Sequence, residues 1–250
     1  MSRPARVDIH DGPQVLHGVF PVSRETEERL KTHVDLLLRW QRAQNLVAPS
    51  TLGDVWRRHV ADSLQVMRHV ERARTFVDFG SGAGFPGVVI ACLLMERRAE
   101  DPFFAAAHVH LVESNQRKAA FLRTVIRETG CPATVHAERI EAFAARRGEG
   151  FGEGTGEGAE DATVDVVTAR ALADLETLCG FAAPFSAAGA RAIFHKGRNF
   201  REEVTQASHA WAFDLIEEES LIDPDSRILL LSDIRPLGAT GARQGKVRSG

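Results

Sequence analysis

Asp78, Gly80, Gly82 and Gly84 fall at alternate positions in the stretch VDFGSGAGFPG, after the apolar run TFVDF and before the helix-like PGVVIACLLME. Glycine permits left-handed turns and lets backbone approach a ligand closely. A strand, a glycine turn and a helix N-terminus in that order make a ligand-binding loop. A dinucleotide fingerprint, G-x-G-x-x-G, would need its third glycine at position 85, which is Phe85. An acid two residues before the first glycine would also repel a pyrophosphate. Asp78 suits a ligand with positive charge, such as the ammonium and sulfonium of S-adenosylmethionine. The next strand-like run, HVHLVES, ends in Glu113, where an acid accepts hydrogen bonds from ribose hydroxyls. Singly, Asp78 reads as a turn cap and Glu113 as a solvated strand end. Together, at the tips of successive strands, they favour an adenosylmethionine site.

Other reactive residues are less organised. His59, Asp62 and Ser63 are spaced i, i+3, i+4 and share a helix face. A nucleophilic triad is one reading, and a local hydrogen-bond cluster the preferred one. The ten histidines show no metal-ligand spacing, so no metal is assigned. Cys92, Cys131 and Cys179 are scattered, without a CxxC pair, which argues against disulfides or zinc and fits a reducing cytoplasm. Trp40, Trp56 and Trp211 are expected in the core.

The elements that must position these residues are read from periodicity. Leu30, Val34, Leu37 and Leu38 make a helical stripe over 24–44 with Ser23 as N-cap, and Trp56, Val60, Leu64 and Met67 make another over 53–70. Beyond residue 75 strands and helices alternate. Strands are expected at 75–79, 108–113, 132–136, 164–168, 190–195, 211–218 and 228–234, with helices near 86–96, 115–128, 138–147, 170–180 and 199–210. That alternation predicts an α/β fold, a parallel sheet between helical layers. Only LIDPDS separates the last two strands, so they should pair antiparallel at an edge. RRAEDPFFAA reads as a loop insertion that lengthens the gap before Glu113. Residues 1–72 are expected to form an N-terminal arm and helical extension, 73–237 the catalytic domain, and 238–250 a disordered basic tail. The Gly/Glu segment 148–161 reads as a mobile loop.

Net charge is −3, so any nucleic-acid surface must be local. Arginines and lysines gather at Arg57–Arg58, Arg117–Lys118, Arg146–Arg147, Lys196–Arg198–Arg201 and the tail. No apolar run approaches the roughly 20 residues of a membrane span.

Several motifs in order resemble the bacterial small-subunit ribosomal RNA methyltransferase G family, also called glucose-inhibited division protein B. They are RHVADSL (58–64), VDFGSGAGFPG (77–87), LVESNQRKAAFLRTV (111–125), ERIE (138–141), TARALADL (168–175) and FHKG (194–197). The resemblance implies a Rossmann-like class I S-adenosylmethionine-dependent methyltransferase fold of about seven strands, the last antiparallel. It implies methylation of N7 of one guanine of 16S ribosomal RNA (position 527) in the small ribosomal subunit. Gly80 and Phe85 would line the cofactor pocket, Ile140 and Glu141 would flank the adenine, and Arg170 would reach the cofactor side of the cleft. Arg170, Lys196, Arg198 and Arg201 are assigned to the RNA, Arg170 and Lys196 to its phosphates or the cofactor carboxylate. Guanine N7 carries no proton, so no general base is expected. Two other readings are a methyltransferase for a small molecule or protein, and an RNA-binding assembly protein with a vestigial cofactor pocket.

Overall fold

A computed structural model describes residues 9–146 and 163–238. Segment 148–161 and the tail beyond Gly238 therefore lie outside the described residues. Seven strands form one sheet in the order β3-β2-β1-β4-β5-β7-β6. They are β1 (Thr75–Phe79), β2 (His108–Val112), β3 (Ala133–His136), β4 (Val166–Arg170), β5 (Arg191–Lys196), β6 (Trp211–Glu219) and β7 (Arg227–Pro236). The first five run parallel, whereas β7 pairs antiparallel with both β5 and β6. All five residues of β1 are buried, as expected of a central strand covered on both faces. Strands β2 and β3 continue to one side of β1, and β4 and β5 to the other. The order thus reverses between β1 and β4, and a crevice opens there at the carboxyl ends.

Two cores flank the sheet. On one face Phe76, Ile90, Leu94 and Phe121 pack with Leu30, Leu37, Val60 and Leu64 of the N-terminal extension. On the other, Val77, Phe79 and Phe194 pack with Phe143, Leu178 and Phe185. The extension therefore completes the sheet's own core. Its helix α1 (Arg24–Trp40) is capped by Ser23, whose hydroxyl accepts from the Thr26 amide. The second predicted helix changes pitch along its length. A π turn (Trp56–Ala61) leads into α2 (Asp62–Leu64) and a 3₁₀ turn (Gln65–His69). Such π turns shift side chains out of α-helical register and recur at functional sites. Trp56 is buried, while Trp40 and Trp211 are half-buried against the two cores.

Two expectations change. RRAEDPFFAA is no loop insertion: α3 (Gly87–Glu100) runs on to Glu100, and Asp101 caps a 3₁₀ turn at Pro102–Phe104. Buried Phe104 gives that turn an anchor, which the sequence pattern did not reveal. The helix expected at 170–180 starts later, as α6 (Leu175–Ser186), because Asp174 is its N-cap. Residues 171–174 instead cross from the end of β4 to the start of α6. Cys92 and Cys131, distant in sequence, are both buried in the first of these cores.

Candidate active site

Gly80, Gly82 and Gly84 have φ of 63°, 53° and 91°, a region that other residues enter only with strain. The turn between β1 and α3 is pinned from within. The Ser81 amide donates to the Val112 carbonyl at 3.1 Å, and the Gly84 amide to the Ser81 carbonyl at 2.6 Å. Glu113 holds it from the side, its two carboxylate oxygens accepting from the Gly82 amide at 2.9 Å and the Asn115 amide at 2.7 Å. A carboxylate oxygen accepts more than one hydrogen bond, so both retain capacity for a ligand's hydroxyls.

Asp78 lies beneath this turn, 1% exposed. Its carboxyl accepts from the Thr168 hydroxyl at 2.8 Å and from the Gly87 amide at 3.2 Å. It faces the positive end of α3 instead of the open cleft, as the plainer reading of a cap had it. Gly87 is required for that approach, since a Cβ there would sit 2.7 Å from the carboxylate and 2.4 Å from Leu111. Burial pushes the carboxyl up from 3.8 to about 7, against the hydrogen bonds that favour its ionised form. Between those pH values the folded chain binds a proton that the unfolded chain has released. The stability from this group is full below the lower value and lost as pH rises through the upper one. Asp78→Asn keeps the shape and removes the titration. Its unfolding temperature is expected to exceed that of the unaltered chain at about pH 8, with the gap closing towards about pH 5. Parallel curves would show that Asp78 does not titrate in this range.

Arg170, the last residue of β4, joins the turn to the π segment. Its Nε meets the Asp62 carboxylate at 3.1 Å, and Nη2 donates to the Arg58 carbonyl at 2.7 Å and to His59 Nδ1 at 2.9 Å. A guanidinium only donates, so His59 Nδ1 must accept, and the ring's proton sits on Nε2. That proton goes to the Thr51 hydroxyl at 2.7 Å, which donates in turn to the Ala48 carbonyl at 2.8 Å. Burial, reinforced by the Arg170 charge, lowers His59 to about 3 and keeps it neutral. Three of the five guanidinium donors are thus engaged, and the pair on Nη1 is buried without a partner. Phe85 lies between the rings of His33 and His59, with centroids at 4.8 and 5.1 Å. Ser63 donates to the His59 carbonyl at 2.6 Å. The 59–62–63 cluster is therefore a bracket for Arg170 and holds no nucleophile.

Two clefts meet at Arg170 and Ala171. One, of about 300 Å³, is lined by Gly80, Gly82, Phe85, His59 and Lys118. The other, of about 280 Å³, is lined by Arg57, Arg58, His195, Lys196 and Arg227, with Asp54, Asp62 and Asp223 tempering the charge. The structure thus brings Gly80, Gly82, Phe85 and Arg170 together around one space. Glu113 stands behind the turn, and Gly84 packs under it, where a Cβ would crowd Val88 and His33. Ile140 packs at the start of α5 (Ile140–Ala145), and exposed Glu141 follows it. Neither lines these clefts. Arg198 is 80% exposed, 4.0 Å from Asp225, and Arg201 is exposed beside Phe200. Lys196 is turned inward, and its side chain is only 6% exposed. Sequence reasoning missed His33 and Thr51, and it read Lys118 only as part of a basic pair, not as a neighbour of the glycine turn. His33, bonded at 2.7 Å to the Ala83 carbonyl, had a readable signal, a polar residue inside the Leu30–Val34–Leu37 stripe.

Sheet order, glycine turn and paired cleft define a class I methyltransferase fold. An O-methyltransferase from Bacillus cereus, solved in complex with SAH, shares it with a TM-score of 0.52 at 12% identity, over 88% of this chain and 96% of that one. More narrowly, the chain belongs to the GidB family, rRNA small subunit methyltransferase G, whose pattern it matches over residues 26–226. Ribosomal RNA small subunit methyltransferase G of Rhizobium etli is 44% identical over 218 residues, 86% of this chain and 96% of the relative. Its counterpart in Rhizobium meliloti is 44% identical over 224 residues, 88% of this chain and 95% of the relative.

Proposed function

We propose that this protein is an S-adenosylmethionine-dependent methyltransferase that modifies N7 of a guanine in 16S ribosomal RNA. The observation that carries the reading is Arg170, held by Asp62 and His59 as the shared wall between the glycine-turn cleft and the arginine-lined cleft. The residues fit the cofactor: a turn made of left-handed glycines, a carboxylate at Glu113 with spare acceptor capacity, and an arginine whose Nη1 wants an acceptor. Bound there, adenosylmethionine would supply an electrophilic methyl group. The protein's part is to position and to exclude water. His59 is committed at both nitrogens, so it serves as a strut and not as a base, and guanine N7 needs none. Asp62 balances the Arg170 charge, which lessens repulsion of the cationic product base. Phe85, walled by His33 and His59, keeps that side of the cleft dry.

Arg57 and Arg58 line the second cleft and are exposed, and exposed Arg198 and Arg201 follow its Gly197 in the chain; these four are the proposed phosphate contacts. Each lost contact lowers the slope of log affinity against log salt by roughly 0.7–0.9. Arg58→Ala and Arg198→Ala are therefore expected to weaken RNA binding with shallower salt dependence, while adenosylhomocysteine affinity holds. Unchanged slopes would move the RNA surface elsewhere. A small-molecule methyltransferase would instead present a closed apolar pocket. No helix among the described residues is long and apolar enough to cross a membrane, and none of their His, Cys, Asp and Glu groups is placed to hold a metal. A ribosomal substrate would put the protein in the cytoplasm. The deciding experiment incubates it with labelled adenosylmethionine and small subunits lacking this modification, then maps the methylated base. Label at another base type, or only on protein, would refute the reading.

A further inference from the structure

Lys196 ends β5, in the cleft assigned to RNA, yet its ammonium does not face that cleft's solvent. Nζ donates to the Ala173 carbonyl at 2.6 Å and to Glu203 Oε2 at 2.6 Å. The same carboxylate oxygen accepts from the Leu175 amide at 2.9 Å. Glu203 belongs to the first turn of α7 (Phe200–Ala207). One ion pair, buried at Lys196 and half-buried at Glu203, therefore ties β5 and α7 to the crossing segment 171–174 and to the first residue of α6.

That segment is short and held at both ends. At its start, Arg170 is fixed by Asp62, Arg58 and His59. Ala171 follows with φ of 50°, a conformation that non-glycine residues keep only where their surroundings impose it. Leu172, 37% exposed, then lies over the glycine turn, so close that a Cβ on Gly80 would meet its Cδ1 at 2.5 Å. At the far end stand Lys196 and Glu203. We infer that Lys196 is a positioning residue: with Glu203 it anchors the 171–174 crossing so that Ala171 stays on the wall of the glycine-turn cleft and Leu172 stays packed on Gly80, and it is not a phosphate ligand. A phosphate contact needs an accessible ammonium, and reaching RNA would strip Ala173 and Glu203 of their partner. The inference deepens the proposed function and rests on its placement of the cofactor at Gly80 and Gly82.

The two roles give opposite signatures in one set of variants. Lys196→Met is expected to lower adenosylhomocysteine affinity about tenfold by calorimetry, with the salt slope of RNA binding unchanged. Amide hydrogen exchange over residues 171–175 should speed up by about tenfold or more, which registers the anchor without any cofactor. Glu203→Gln should move the same readouts in the same direction, and the double variant should be no worse than Lys196→Met alone, because the two act as a unit. A salt slope reduced by roughly 0.7–0.9 with cofactor affinity and exchange intact would overturn the inference. If Lys196→Met fails to fold, Glu203→Gln decides, and unchanged exchange and affinity in it would also overturn the anchor. If the unaltered chain bound no adenosylhomocysteine while exchange still responded, the cofactor placement would fail and the anchor would stand.

Discussion

Gly82→Val is expected to lower adenosylhomocysteine affinity by two orders of magnitude or more and to leave the chain folded. Gly82 has φ of 53°, and the nearest atom to an added Cβ is the Gly80 carbonyl oxygen at 3.6 Å. Space for the side chain exists, but it is the space of the cleft itself. Valine would thus project where the ligand's atoms belong, and its branched Cβ disfavours the left-handed conformation by about 1–2 kcal/mol or more. Any shift of the turn would also stretch the Gly82 amide from Glu113. Calorimetry on the folded variant checks this, with circular dichroism as the control. Binding within a few-fold of the unaltered chain would show that the cofactor does not approach this turn.

Arg170→Ala should have the second large effect, on two properties together. The side chains of Arg170 and Asp62 are 17% and 14% exposed, so removing the guanidinium leaves a carboxylate mostly out of water without its partner. Breaking such a pair costs about 3 kcal/mol, and His59 Nδ1 loses its donor as well. Turnover on small subunits is expected to fall about a hundredfold or more, because the wall between the clefts no longer orients either ligand. Arg170→Ala/Asp62→Ala separates the effects. It should recover much of the stability, since no buried charge is stranded, yet regain none of the activity. Restored turnover in the double variant would mean that Arg170 matters to folding alone. Arg170→Lys should not rescue, since one ammonium cannot engage Asp62, Arg58 and His59 in the guanidinium's fork geometry.

What was legible in the sequence was what local pattern encodes. TFVDF reads as a buried strand because it is a short apolar run, and all five of its residues are buried; alternate glycines announce a turn whatever surrounds them. The final hairpin followed from a short connection. Directions taken by polar side chains were not legible, because distant segments set them. Asp78 points away from the cleft owing to Thr168 on β4 and the amide of Gly87, two partners that only the sheet brings near. Lys196 looked like an RNA contact because it opens the basic run Lys196–Arg198–Arg201, whereas its ammonium is taken by Glu203 arriving from α7. The pitch change at Trp56–Ala61 leaves no periodic trace over so few residues. Yet it belongs to the segment that places the Arg58 carbonyl and His59 beside Arg170.

The core shared between the extension and the sheet has a consequence for the order of synthesis. Helix α1 is translated early, but Leu30 and Leu37 are buried in a core that includes Ile90, Leu94 and Phe121. Until α3 and α4 (Gln116–Thr129) have emerged, the nascent helix has no surface on which to lay its apolar stripe. A helix in a protein draws most of its stability from packing its apolar face. The apolar stripe of α1 therefore stays uncovered until those later helices are made, and during that interval it is open to non-native association.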